Sequence, residues 1–284
     1  MTIRSRLAPT PSGYLHLGNA VNFLRTWLLV RRAGGVLKLR IDDLDGERLR
    51  PEYLEDIFRQ LDWLGLDWDE GPSGPGDFQR QHSQRLRLER YREVAAELGA
   101  RGQLFVCTCS RKEIRQHTGS TVYPGTCRQL CHRPVTPHAL RVLVPADTVV
   151  VVGGSEIPLA RAMGDFVLWR RDGQPAYQLA SLVDDLDDRI NLIVRGEDLL
   201  PSTGAQLFLA AQLGATAFSR VRFQHHPLLP GVDGRKLSKS DGALSLAALR
   251  GQGAEPLLAY RAVAQQLGLD PNAIGSLADL LAAC

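Results

Sequence analysis

The chain has 284 residues, 44% of them hydrophobic and 23% charged, with a formal net charge of +3. These are ordinary globular values that leave room for a sizeable core and exclude neither an enzyme nor a binding protein. No run of eighteen apolar residues is present and MTIRSRLAP lacks the apolar core of a signal peptide, so the expectation is a soluble, cytoplasmic monomer with no membrane partner.

In chain order, IRSRLAP (3–9) reads as a short strand ending near Pro9, and TPSG delivers the chain to a helix that begins near His16. Apolar residues recur at helical spacing until Gly34 and Gly35 stop them. VLKLRIDD (36–43) alternates as a strand does, which completes a βαβ unit. Residues 52–64 and 81–101 read as amphipathic helices, the second bearing Arg85, Arg87, Arg90 and Arg92 on what is read as a solvated face.

Four of the five cysteines, Cys107, Cys109, Cys127 and Cys131, crowd one loop-rich stretch marked by Gly119, Pro124 and Gly125, whereas Cys284 stands apart. Such clustering suits a metal site better than a disulfide framework. Zinc takes four ligands in a tetrahedron and favours thiolates, so four cysteines are the obvious set, with His132 also near; reduced cysteines without metal are the plain alternative. Beyond them, LRVLVP (140–145), FVLWR (166–170) and INLIVRG (190–196) read as strands, residues 197–213 as a helix, and the 44 residues after Ser240 as helical.

Two places invite chemistry. A strand end, a proline- and glycine-bearing loop and a helix N-terminus together attract phosphate, with His16 in the first turn and Gly18 allowing a flat ring to approach. Near the other end stands GRKLSKS (234–240), which holds two of only four lysines among 34 basic residues. A lysine is a mobile point charge that can follow a moving phosphate, although a basic turn is more often merely solvated.

Taken together, HLGN (16–19) and KLSKS (236–240) resemble the two signature motifs of class I aminoacyl-tRNA synthetases. RLAPTPSGYLHLG (6–18), RIDDLD (40–45), YQLASLVDD (177–185) and IVRGEDLL (193–200) resemble the glutamyl-tRNA synthetase group more closely, in the same order and at comparable intervals. A large anticodon-binding region is not expected, and the resemblance is strongest to the truncated glutamyl-Q tRNA(Asp) synthetase family.

The resemblance implies a Rossmann-like α/β catalytic core, its halves at 1–104 and 136–243, a zinc-bearing insertion at 105–135 and a helical tail at 244–284. It implies activation of glutamate by ATP with Mg2+, followed by transfer to the queuosine base of tRNA(Asp). His16, Lys236 and Lys239 would be catalytic, with His16, Gly18 and Lys239 on ATP. Arg6 and Arg195 would clamp the side-chain carboxylate of glutamate, Tyr177 and Asp42 its ammonium, and Ala8 and Thr10 would close the pocket. A structural Zn2+ would be held by Cys107, Cys109, Tyr123 and Cys127, with Cys131 as rival to Tyr123. Two departures matter: Asp42 stands where the family has glutamate, and Thr10 where it has serine. Other readings are a ligase of this fold serving another tRNA or a carrier protein, and a non-catalytic RNA-binding paralogue.

Overall fold

The computed structural model describes residues 2–46, 48–130, 137–229 and 245–284. From the N-terminus the elements are β1 (Arg4–Leu7), α1 (Leu17–Arg32), β2 (Val36–Leu39), α2 (Pro51–Trp63), the single turn α3 (Pro75–Asp77), α4 (Leu88–Ala100), β3 (Leu104–Cys107) and α5 (Arg111–Thr118). There follow β4 (Ala139–Val142), β5 (Val149–Val152), β6 (Ser155–Pro158), the short α6 (Leu159–Ala162), β7 (Val167–Trp169), α7 (Tyr177–Asp187), β8 (Leu192–Gly196) and α8 (Leu200–Gln212). The chain closes with β9 (Arg222–His226), α9 (Leu246–Gly251), α10 (Leu257–Gln266) and α11 (Leu277–Ala283). No described helix is long and apolar enough to cross a membrane.

These elements fall into two compact units, the first made of Met1–Leu86, Ile190–Glu197 and Arg222–Cys284 and the second of Arg87–Arg189 and Asp198–Val221. In the first unit, α1 begins at His16, whose backbone N–H donates to Asn19 Oδ1 at 3.0 Å as half of a capping box, so one orphan donor of the helix start is satisfied locally. The helix buries Val21, Leu24, Leu28 and Val30 against Leu7, Leu37 and Leu39 of the strands. β1 and β2 are parallel, as are β8 and β9. Hydrogen bonds join β1 to β8: Asn191 N–H donates to the Arg4 carbonyl at 3.0 Å, and the Ser5 hydroxyl to the Leu192 carbonyl at 2.8 Å. These bonds set β8 beside β1, on the side away from β2, while the ladders themselves remain the pairs β1-β2 and β8-β9. The tail helices complete this core through Val263, Ala264 and Leu280, and Tyr260 donates to the Leu64 carbonyl at 3.1 Å.

The expected strand over 36–43 ends formally at Leu39, yet the N–H groups of Arg40 and Asp42 still bond to the carbonyls of Leu7 and Pro9, each at 2.9 Å. Pro9 and Pro11 have no N–H to return, so the ladder continues on one side only. The expected helix over 81–101 is broken: a π-turn occupies Phe78–His82, a 3-10 turn Gln84–Arg87, and the α-helix starts only at Leu88. The break is imposed by Asp43, which accepts the Ser83 hydroxyl and the Gln84 N–H, the latter at 2.9 Å.

The second unit holds the antiparallel sheet β3-β4-β7 and the hairpin β5-β6. Helices α4 and α7 are stapled by a buried network in which the Tyr91 hydroxyl and Arg87 Nε both donate to Asp184.

Candidate active site and metal centre

Within the first unit the strand order places β1 at a reversal, since α1 carries the chain out to β2 on one side while β8 flanks β1 on the other. Ligands of open α/β sheets bind outside the carboxyl ends of the strands at such a point. Arg6 lies near the end of β1 and Arg195 near the end of β8, with 5% and 3% of their surface exposed, so two buried arginines stand near the carboxyl ends of neighbouring strands. His16 caps the helix that follows β1. The third expected feature of that turn, Gly18, has a specific reason: a Cβ there would lie 3.1 Å from both Cε1 and Nδ1 of His16, so the imidazole folds back over the glycine.

Asp42, expected to hold an ammonium, is buried and engaged by Arg40, whose Nε and Nη2 donate to its two oxygens at 2.7 and 3.3 Å, while Gln84 Nε2 donates at 3.3 Å. Arg40 is a residue the sequence reading passes over; its signal is the period-two spacing to Asp42. Neighbouring Asp43 has its carboxyl pushed up by burial, opposed by the Ser83 and Gln84 donors. Ala8 is half-buried and Thr10 exposed in the loop after β1. Tyr177 opens α7 in the second unit and is exposed.

Lys236 and Lys239 lie outside the described residues, but the chain on either side of their segment is fastened to α1 or to the residues that lead into it. Before it, His226 Nε2 lies 3.1 Å from Asn22 Oδ1. After it, Ser245 pairs with His16 in an antiparallel bridge and Leu246 N–H donates to the Leu15 carbonyl at 2.8 Å.

Arg195 has further neighbours that the sequence did not single out. Parallel pairing sets it beside His225, and its guanidinium lies over Phe223, Cζ 5.6 Å from the ring centroid. Burial, then the charges of Arg195 and His226, push the His225 imidazole down to about 4.

In the second unit, the end of β3 and the loop after α5 bring Cys107, Cys109 and Cys127 together, their sulfurs within 4.8 Å of one another. Cys109 and Cys127 are 3.6 Å apart, too far for a disulfide and close to the edge of about 3.8 Å that a tetrahedron with Zn–S bonds of 2.3 Å requires. Burial and the two neighbouring thiols push Cys109 up to about 11, the opposite of what a divalent cation would do. The Tyr123 hydroxyl stands in the same cluster, accepting the Cys127 N–H at 2.7 Å, and burial beside the thiols raises its pKa. Arg141 places its guanidinium over that ring, Cζ 3.9 Å from the centroid, a charge that favours a phenolate. The donor set therefore fits a thiophilic cation, with Tyr123 in reach as fourth ligand; Cys131 and His132 lie outside the described residues.

Parallel strands joined through helices, with buried arginines near their carboxyl ends, define an α/β protein of the open-sheet class. The chain belongs to the family described as tRNA synthetases class I (E and Q), catalytic domain, whose model matches residues 2–280. It is 42% identical over 271 residues to a glutamyl-Q tRNA(Asp) synthetase of Symbiobacterium thermophilum, covering 88% of this chain and 82% of that one. It is 40% identical over 265 residues to a glutamate–tRNA ligase of Anaeromyxobacter sp. strain Fw109-5, covering 89% of this chain and 55% of that one. Its fold matches a glutamate–tRNA synthetase structure from Elizabethkingia anophelis with a TM-score of 0.80 at 24% identity, over 100% of this chain and 66% of that one.

Proposed function

We propose that this protein activates glutamate with ATP as glutamyl-adenylate and transfers the glutamyl group to the queuosine base of tRNA(Asp). The observation that carries the reading is the pair of buried arginines, Arg6 and Arg195, near the carboxyl ends of the neighbouring strands β1 and β8 in a glutamate- and glutamine-type class I catalytic domain. A guanidinium fork suits a carboxylate, and two of them suit the side chain of glutamate.

Activation needs no general base, because an α-carboxylate with a pKa of about 3.5 is ionised at neutral pH. One of its oxygens attacks the α-phosphorus of ATP, the bond to the bridging oxygen breaks, and pyrophosphate leaves. The protein supplies alignment and positive charge. The start of α1 and His16 would hold phosphates, and Lys239, helped by Lys236, would follow the charge that passes to pyrophosphate. Magnesium would enter with ATP and offset the negative charge of its phosphates. In the second step a hydroxyl of the acceptor attacks the activated carbonyl and AMP leaves. What supports a role for the lysines is that one described flank of their segment is anchored on α1 and the other on His16, the residue that caps it. The roles of Ala8, Thr10 and Tyr177 rest on the motifs that contain them. Asp42 would meet the ammonium while keeping its bond to Arg40. Zinc, held by Cys107, Cys109, Cys127 and Tyr123, would stiffen the loop after α5.

The test is transfer of labelled glutamate to tRNA with and without queuosine. Label is expected only on queuosine-containing tRNA and on the modified nucleoside after digestion; label on the 3′-terminal adenosine would overturn the acceptor assignment. That outcome defines the second reading, transfer to a 3′-ribose, which the similarity to glutamate–tRNA ligases favours.

A further inference from the structure

On β9 the sequence RFQHH alternates between two faces. His226 points to α1, where it meets Asn22, and Gln224 on the same face lines a cavity with Arg25 and Leu28 of that helix. Phe223 and His225 therefore share the other face, their rings stacked with centroids 6.3 Å apart and planes 16° from parallel. The Arg195 side chain lies on this face too, opposite His225 in the parallel register and over Phe223 at 5.6 Å. Arg6 is paired in register with Lys38 on β1 and β2, where Leu37 and Leu39 turn to α1 and Lys38 away from it. An arginine side chain has many rotamers to lose, and a wall that confines it before the ligand arrives removes part of that entropic cost from binding.

We propose that Phe223 and His225 are positioning residues for Arg195: the two stacked rings preset its guanidinium for the side-chain carboxylate of the amino acid. The inference rests on the reading of Arg195 as a glutamate clamp and adds the element that holds the clamp. It also assigns a purpose to a neutral ring at position 225. A cation at position 225, directly opposite Arg195 in the register, would repel the guanidinium that the wall has to hold, whereas an uncharged imidazole gives it a flat surface.

Glutamate-dependent pyrophosphate exchange, run with and without tRNA, tests this in variants whose thermal midpoints are measured alongside. Phe223→Leu removes the ring and is expected to raise KM for glutamate about five- to tenfold, the worth of one partly desolvated cation–π contact. Its kcat and its KM for ATP should stay within about twofold of wild type. Phe223→Tyr and His225→Phe keep the wall and should remain near wild type, whereas His225→Lys should raise KM for glutamate at least about tenfold by repelling Arg195. Exchange that Arg195→Ala abolishes while Phe223→Leu leaves KM for glutamate unchanged would overturn this inference alone. So would a Phe223→Leu variant impaired equally toward glutamate and ATP. A wild-type protein without glutamate-dependent exchange would overturn the function reading and the inference with it.

Discussion

Replacing Tyr91 by phenylalanine deletes one oxygen from the interior of the second unit. Tyr91 is fully buried and its hydroxyl donates to both oxygens of Asp184, at 2.8 and 3.0 Å, while Arg87 Nε donates to the same carboxylate at 2.9 Å. Burial and the adjacent carboxylate raise the phenol's pKa far above its usual range, so the proton stays on oxygen and the bond is charge-assisted. Hydrogen bonds to charged groups contribute about 1.5–3 kcal/mol. Because Arg87 remains, Asp184 is not left as an isolated buried charge, whose exposure to that state would cost about 3–5 kcal/mol. The expected loss is about 2 kcal/mol, a fall in midpoint of roughly 4–10 °C for a unit of this size. Urea unfolding combined with hydrogen exchange of the amides in α4 and α7 measures it. The exposed pair Arg90–Asp187, with Nε to Oδ2 at 3.1 Å, is the internal control, and Arg90→Ala should cost under about 1 kcal/mol. A Tyr91→Phe loss no larger than the control's would refute the reasoning.

Stability should also depend on His225: its folded pKa of about 4 lies below the unfolded value, so the folded state binds fewer protons between pH 4 and 6.5. Its contribution is full above pH 6.5 and lost as pH falls through that window, by at most about 3 kcal/mol and less after solvent screening of a half-buried ring; His225→Phe should flatten the pH profile of urea midpoints. For the metal centre, purified protein is expected to carry about one equivalent of zinc by elemental analysis, Cys107→Ser to lose it, and Tyr123→Phe to weaken it about 10- to 100-fold by chelator competition. An unchanged affinity in Tyr123→Phe would hand the fourth position to another donor. Gly18→Ala should shift the His16 ring by a few tenths of an ångström and slow pyrophosphate exchange about tenfold without lowering the thermal midpoint, since alanine is the better helix former; full activity would show that the ring's place is immaterial.

How much of this was legible depends on the range of the forces involved. The β1-α1-β2 unit is local, written in helical spacing up to Gly34 and in the alternation of VLKL, and the structure returns it. The break near Ser83 was not legible, because the carboxylate that causes it is on Asp43, forty residues earlier. The hairpin β5-β6 did have a local signal: Gly153 and Gly154, with φ of +55° and +85°, sit between VVVV and SEIP as a two-residue turn of this kind demands. Helix α5 had one as well, the box in which Ser110 and Glu113 bond each other's N–H groups, hidden in a stretch whose glycines and prolines suggest only loop. In the candidate site, Arg6, His16 and Arg195 could be named from motifs, whereas Arg40, Phe223 and His225 required the strand register.

The central place of β1 has a consequence for the order in which the protein is made. Arg4 takes its partner Asn191 from 187 residues further along the chain. At about 5–20 residues per second a ribosome needs roughly 10–40 s to supply it. During that interval the first βαβ segment waits with one strand edge open, while the stretch Arg87–Arg189 that makes up most of the other unit is finished first. The half of the molecule that gathers the arginines is thus begun first and closed last, and it is the part a nascent-chain chaperone would have most reason to shield.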